Sequence, residues 1–136
     1  MRSVVRNMLC LCFWLGLIST VSAGGRVPIG NILEHPADYQ AKVVTVEGRA
    51  RAVSNFPVHR GTSRCGGGAV YDSQTFALQD KSGTIGIGTT GSCRPNSTEL
   101  VLENEHLRIR GVVVADKKDP KATPVIYADT IDRVRP

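Results

Sequence analysis

The spacing of apolar residues changes along the chain, and the first helical spacing lies near residue 30. Ile29, Ile32 and Leu33 are three and four positions apart, so they would share one face of a helix. Pro36 cannot continue a helix from within and is expected to end it. The pattern therefore predicts one short helix that packs on the domain, after a flexible lead at residues 24–28.

From Lys42 onward the apolar residues recur at every second position, which is the period of a half-buried strand. The apolar side would carry Val44, Val46 and Ala50. The opposite side would carry Thr45, Glu47, Arg49 and Arg51. Gly48 falls on the apolar side, where the missing side chain would let a long strand coil sharply, as in small barrels, although a plain bulge is the other interpretation.

Residues 75–88 predict a hairpin, because two alternating runs are joined by the turn sequence Asp80-Lys81-Ser82-Gly83. If Asp80 pairs with Gly83, then Phe76 lies opposite Ile87 and Leu78 lies opposite Ile85 on one apolar face. The other face would carry small or polar residues without an aromatic ring, namely Thr75, Ala77, Gln79, Thr84, Gly86 and Gly88.

The remaining stretches predict one further short helix and two further strands. Asn96 to Asn104 begins with residues that favour a helix start and has room for one or two turns. Leu107 to Val114 and Ile126 to Val134 alternate as strands, and a polar loop with prolines separates them at residues 116–124. The predicted class is therefore all-β with short helices.

The first 23 residues have the pattern of a cleaved secretory signal. Arg2 and Arg6 precede an apolar run at residues 8–18, and Val21-Ser22-Ala23 offers a cleavage site. The run, of about 11 residues, is shorter than the roughly 20 that span a bilayer. We therefore expect an exported chain, periplasmic or secreted, without stable membrane insertion. The expected division is a signal at 1–23, a lead with a short helix at 24–41 and a barrel domain at 42–136.

Cleavage would leave two cysteines, Cys65 and Cys93, in an oxidising compartment, where they can form one bridge. The hairpin register, extended outward, places Cys93 opposite about Val70, a few residues from Cys65. A disulfide Cys65–Cys93 is therefore predicted. The alternative, a metal site that includes His59, lacks C-x-x-C or H-x-x-x-H spacing, so no metal or other cofactor is expected.

Five strands, the first long and bent at a glycine, with a tight hairpin between the second and third, resemble an OB-fold, which is a five-stranded Greek-key barrel. Residues 36–48, PADYQAKVVTVEG, look like the opening of bacterial OB domains grouped with anticodon-binding and nucleic-acid-binding modules. Residues 76–85, FALQDKSGTI, look like their second-to-third strand hairpin, and residues 107–131 fit their closing strands. The resemblance implies the fold but not the ligand, because OB-folds bind single-stranded nucleic acid, oligosaccharides or proteins.

Basic residues occur where ligands usually meet OB-folds, on the first strand and in two of the loops. Without residues 1–23 the chain keeps 15 basic and 12 acidic residues, a formal net charge of +3. The candidate ligand-binding cations are Arg49, Arg51, Arg60, Arg64, Lys117, Lys118 and Lys121. Glu47, Asp116 and Asp119 would partly cancel them, and solvated loop charges without a ligand fit the pattern equally well.

Aromatic residues are few, with 3 Phe, 3 Tyr and 1 Trp in the whole chain. Phe56 and Tyr71, near the ends of the loop that follows the first strand (residues 54–68), are candidates for stacking, or else lie at the edge of the core. Tyr39, Phe76 and Tyr127 are interpreted as core or barrel-end residues. Any nucleic-acid binding is therefore expected to be weak, salt-sensitive and indifferent to sequence.

No arrangement typical of catalysis is apparent, because Ser63 and Ser92 lack a convincing base and no acidic cluster suits a metal nuclease. The sequence favours an exported, non-enzymatic binding module whose basic groove takes a polyanion, either single-stranded nucleic acid or an acidic glycan. The alternative is a protein-interaction or envelope-maintenance module that docks a protein on the hairpin face.

Overall fold

The computed structural model describes residues 25–61 and 63–136, so the predicted signal at residues 1–23 lies outside the described residues. The helices are α1 (Ile29–Glu34) and α2 (Pro36–Tyr39), with one 3-10 turn at Ser63–Cys65. The strands are β1 (Val43–Asn55), β2 (His59–Arg60), β3 (Ala69–Val70), β4 (Gln74–Gln79), β5 (Thr84–Thr89), β6 (His106–Val114) and β7 (Val125–Arg133). Neither described α-helix has the length and apolar character needed to cross a membrane.

Five of the strands close a barrel in the order β1-β4-β5-β7-β6, and β6 pairs back onto β1. Strands β5 and β7 are parallel, and the other barrel pairs are antiparallel. Strands β2 and β3 form a separate two-stranded sheet within the loop between β1 and β4. The predicted fold class is confirmed, since this is the five-stranded Greek-key barrel of an OB-fold.

Strand β1 serves two neighbours, because residues 43–49 pair with β6 and residues 49–55 pair with β4. The predicted alternation is confirmed, with Val44, Val46 and Ala50 buried inside the barrel. Gly48 lies at the change of partner, and a Cβ atom there would collide with the backbone carbonyl of Gln79. Glycine is therefore required at this point for the strands to approach closely enough to close the barrel.

The core combines the inward residues of every barrel strand with one face of α1. Ile29 and Ile32 of α1 are both completely buried, which confirms the predicted helix and the face that it buries. Burial of an isoleucine side chain contributes about 1.5–3 kcal/mol. The buried strand residues are Val44, Val46, Ala50, Phe76, Leu78, Ile85, Ile87, Leu107, Ile109, Val113 and Ile126.

The β4–β5 hairpin has the predicted register, with Phe76 opposite Ile87 and Leu78 opposite Ile85. Its turn also holds the start of α1, which follows Pro28 and has no side-chain cap from its own segment. The backbone amide of Ile29 donates to Oδ2 of Asp80 at 2.9 Å, and that of Gly30 donates to Oγ of Ser82 at 2.7 Å. Two backbone amides that have no partner within the helix are thereby hydrogen-bonded by residues about 50 positions away.

The expectation of a flexible lead is wrong for residues 26 and 27. The backbone amide of Val27 donates to the carbonyl of Thr45 at 2.8 Å, and Arg26 forms an isolated parallel β-bridge with Thr45. The guanidinium of Arg26 also pairs with Glu47 at 2.6 Å. The lead is therefore attached to the outside of β1. Pro36 likewise does more than end α1, because it is the first residue of α2.

The helix predicted within residues 96–104 is absent, and the segment is irregular. The side chain of Gln74, which is 3% exposed, accepts from the amide of Val101 and donates to its carbonyl, at 2.9 and 3.0 Å. The carboxylate of Glu103 accepts from the amides of Ala52 and Val53, both at 3.0 Å. Contacts with distant strands therefore replace the local hydrogen bonds of a helix.

We predict that Asp80→Asn lowers the free energy of unfolding by about 1–2 kcal/mol at neutral pH, because one charged acceptor at the start of α1 is lost. Burial alone would raise the pKa of Asp80, but hydrogen bonds from Ile29, Ser82 and Gly83 outweigh it and hold the pKa below its usual 3.8. The stabilisation is therefore fully present above the unfolded pKa and is lost as the pH falls through the lower folded value.

Urea unfolding across an acidic pH series checks this prediction, and the stability of Asp80→Asn should fall less steeply below about pH 4 than that of the parent chain. Asp129→Asn is the control, because Asp129 is 68% exposed in its pair with Arg110 and should contribute less than about 0.5 kcal/mol. Equal losses in the two variants would contradict the role assigned to Asp80.

Candidate ligand-binding face

The outer surface of β1, β4, β5 and β7 is ordered by the strand register into three lateral rows. The first row holds Arg49, Gln79 and Thr84. The second holds Arg51, Ala77, Gly86 and Val125. The third holds Thr75, Gly88 and Tyr127. Ala77 and Gly86 are small residues in the middle of the second row, so the sheet surface lies low there, with larger side chains on either side.

Tyr127 was expected in the core or at the barrel end, and this expectation is wrong, since its side chain is 50% exposed. Its ring lies across Gly88, where a Cβ atom would come within 3.2 Å of a ring carbon. Burial of the preceding Ile126 is the sequence signal that the next side chain points outward. The parallel pairing of β7 with β5, which brings Tyr127 beside Gly88, has no local signal.

The loop after β1 folds towards this face and borders a half-open cavity of about 470 Å³, here named the front cavity. The loop contributes Phe56, Arg60 and Arg64, and the sheet contributes Thr75, Gly88 and Tyr127. Phe56 is 51% exposed, so two exposed rings from separate elements border one cavity with two guanidinium groups. Three of the predicted site residues are thus brought together.

Covalent and hydrogen-bonded contacts hold the loop in place. The predicted disulfide Cys65–Cys93 is formed, with its Cα atoms 5.5 Å apart, and it joins the loop to the segment after β5. Tyr71 is half-buried, and its backbone exchanges two hydrogen bonds of 2.8 Å with Ser92, which extends the predicted hairpin register. The guanidinium of Arg64 donates to the hydroxyl of Thr90. Tyr71 therefore anchors the loop and does not line the front cavity.

Arg49 and Arg51 form a second cationic pair on β1. One guanidinium nitrogen of Arg49 donates to the carbonyl of Asn104 at 3.1 Å, and one of Arg51 donates to its side-chain oxygen at 2.8 Å. Asn104 and Gln79 orient these arginines through neutral groups, and neither arginine forms a salt bridge with a described carboxylate, although the charge of Arg51 helps to lower the pKa of Glu103.

The three candidate lysines lie apart from the front cavity, in the exposed loop between β6 and β7. Lys117 borders a different cleft, of about 330 Å³, together with Ala37 and Gln40. The backbone amides of Lys118 and Lys121 donate to Asp116 and Asp119, while their side chains are exposed.

Two carboxylates near β1 already form ion pairs or hydrogen bonds with groups other than the candidate cations. Burial would raise the pKa of Glu47, but hydrogen bonds and charge from Arg26 and Arg108 outweigh it, so the pKa is lowered. Hydrogen bonds from the amides of Val53 and Ala52 lower the pKa of Glu103. Glu47 is therefore neutralised on the β6 side of β1, and Glu103 supports the bulge at Ala52, whose φ is +51°.

Within residues 25–61 and 63–136, no three His, Cys, Asp or Glu side chains converge as a metal site.

No protein-family model and no curated protein matches the chain. It is similar in structure to asparaginyl-tRNA synthetase from Pyrococcus horikoshii complexed with asparaginyl-adenylate, with 13% identity and a TM-score of 0.47 over 72% of this chain and 20% of that one. It is also similar to a protein assigned as aspartyl-tRNA synthetase from Leishmania major Friedlin, with 10% identity and a TM-score of 0.51 over 85% of this chain and 22% of that one. The chain spans about a fifth of the length of these proteins, and the likeness extends to the fold alone.

We predict that replacing Cys65 and Cys93 together by serine lowers the free energy of unfolding by about 3–4 kcal/mol, because the unfolded chain regains the freedom of the closed loop. The barrel hydrogen bonds do not involve this bridge, so the variant should keep the strand content of the parent chain. Urea unfolding followed by circular dichroism measures both quantities. Loss of strand content in the absence of urea would show instead that barrel closure needs the bridge.

Proposed function

We propose that this chain is an exported, non-enzymatic binding module that holds a polyanion, single-stranded nucleic acid, across the front cavity and the three rows. The observation that carries the proposal is the meeting of Arg60 and Arg64 with the exposed rings of Phe56 and Tyr127 around one cavity. Guanidinium groups suit phosphates, and exposed rings suit bases.

Ion pairing distinguishes the arginines on this face from most of the arginines elsewhere in the described residues. Carboxylate partners are bound by Arg26, Arg108, Arg110 and Arg133. Within the described part of the chain, ion pairs with carboxylates are lacking for Arg49, Arg51, Arg60 and Arg64. A face that collects cations without salt bridges attracts an anionic ligand, and the attraction weakens as salt screens it.

The low middle of the second row favours a ligand with flat groups. Ala77 and Gly86 allow a planar ring to approach the sheet surface between Arg51 and the ring of Tyr127, which covers Gly88. Bases provide such flat faces, whereas the rings of a glycan are puckered and offer less contact to two aromatic side chains. We therefore place nucleic acid before an acidic glycan.

Export is proposed on two observations. Residues 1–23 have the charge, apolar run and small-residue site of a signal. A disulfide such as Cys65–Cys93 persists in oxidising compartments. The structural neighbours supply the fold comparison only, so the ligand is inferred from the side chains of this chain.

A protein ligand is the second candidate, and one observation favours it. Val43, Val112 and Tyr127 lie in one register row, and Val114 lies beside Val125 in the next. All but Val125 are exposed, so an apolar stripe continues from the rim of the front cavity around β6. Exposed apolar stripes are typical of protein-binding surfaces.

We predict that the double variant Arg60→Gln/Arg64→Gln binds a fluorescent oligothymidylate about tenfold or more weakly than the parent chain at low salt. The slope of log affinity against log salt should become shallower by about one to two units, because up to two phosphate contacts are removed. Fluorescence anisotropy across a salt series measures both quantities.

The matched control is Arg108→Gln/Arg110→Gln, which removes two arginines of β6 whose charges are already paired with Glu47 and Asp129. Equal weakening in both double variants would reduce the effect to net charge and contradict a specific site. Tighter binding of heparin than of oligothymidylate at the same salt would identify the glycan instead. Binding of neither, even at low salt, would move the search to protein ligands.

We predict that Phe56→Leu and Tyr127→Leu each cost about 1–3 kcal/mol of binding free energy for oligothymidylate, because a stacked base loses its partner while the apolar bulk is kept. The salt slope should stay unchanged, since no charge is removed. Leu102→Ala is the control, because Leu102 is 64% exposed and does not line the front cavity. Unchanged affinity in both aromatic variants would exclude stacking as the source of binding.

A further inference from the structure

A second cavity of about 450 Å³ adjoins the front cavity, and we name it the adjoining cavity. The two cavities share Arg64, Thr89 and Thr90 in their walls. Because the guanidinium of Arg64 donates to the hydroxyl of Thr90, this contact belongs to the wall between them. Asp72, in the turn between β3 and β4, lines the adjoining cavity as well.

Asp72 differs from the other carboxylates around the adjoining cavity. Glu99 pairs with Arg133 at 3.2 Å, and Asp129 pairs with Arg110 at 2.8 Å. Asp72 forms no ion pair with any described cation, and its Oδ2 atom is buried without a hydrogen-bond donor in the described structure. Such an atom is costly, because folding removes its water without supplying a replacement.

The next residue has the same property. Ser73 is 6% exposed, its hydroxyl has no partner among the described residues, and it lines the front cavity. Two consecutive residues therefore carry unpartnered oxygens, and each of the two residues lines one of the cavities. A polyanion gains nothing from a carboxylate at this place, so the proposed function does not explain Asp72.

We propose that the adjoining cavity binds an ammonium group on Asp72, and that its ligand is a small zwitterion whose anionic group binds Arg64. Arg64 and Asp72 carry opposite charges in the lining of one cavity. One hydrogen bond to Thr90 leaves most of the five guanidinium donors of Arg64 free for an anion. Thr130 lies in the same lining, and its hydroxyl can accept a further ammonium proton, whereas the hydroxyl of Thr89 is already hydrogen-bonded to the backbone of Gln74.

A matched pair of probes tests the proposal, O-phosphoethanolamine and 2-hydroxyethyl phosphate, which differ only in an ammonium or a hydroxyl group. The full chain should bind the ammonium probe about tenfold or more tightly, as a charge-assisted hydrogen bond predicts. Calorimetric titration measures both affinities. Asp72→Asn should abolish the preference, and asparagine tolerates the left-handed backbone at this position, where φ is +59°.

Arg64→Gln should weaken the binding of both probes, because each probe carries a phosphate group. Equal binding of the two probes by the parent chain, a preference that survives Asp72→Asn, or binding of neither at millimolar concentration would each overturn the proposal. If Asp72→Asn does not fold, carbon-13 NMR of the parent chain replaces it. The carboxyl carbon signal of Asp72 should then shift on addition of the ammonium probe and not on addition of the hydroxyl probe, and the absence of this difference would overturn the proposal.

Failure of the proposed nucleic-acid binding can be distinguished from failure of the ammonium site. Asp72→Asn should not reduce oligothymidylate affinity, because the carboxylate contributes nothing to holding a phosphate backbone. A probe preference in a chain that binds no oligothymidylate would refute nucleic-acid binding and leave the ammonium site standing.

Discussion

The carboxylate of Asp80 joins the β4–β5 turn to the start of α1, and the closed core depends on this junction. A helix of six residues is not stable alone, and α1 has no side-chain cap within its own segment. Asp80 and Ser82 supply the missing acceptors, so Ile29 and Ile32 can be held against the inward residues of the strands. The same turn sets the hairpin register, so a single local motif aligns two strands and one helix.

The parts of the fold that follow from local sequence were predictable. The alternation of β1, the hairpin register and the helical face of Ile29 and Ile32 each depend on neighbouring residues. The irregular segment at 96–104 was not predictable, because its backbone bonds to Gln74 and its Glu103 bonds to β1. These partners are brought close only by barrel closure. Lead residues 26 and 27 were missed for the same reason.

The candidate site shows the same division. Arg60, Arg64 and Phe56 were identifiable from their place in a loop after the first strand, and they meet in the front cavity. Tyr127 was missed because its position depends on the parallel pairing of strands that are far apart in sequence. Asp72 carried no sequence signal, since its distinction is the lack of a described partner when nearby carboxylates are paired.

Closure of the barrel through both halves of β1 also limits how a protein could be recognised. Every barrel strand already has a neighbour on each side, so no barrel edge offers a row of free backbone groups to an incoming strand. On the barrel, a protein ligand would be held by side chains, as along the valine stripe, and open strand edges are confined to the two-stranded β2–β3 sheet among the described strands. The same closure removes a template for chain-to-chain strand pairing, which protects a small β-protein from aggregation at high local concentration.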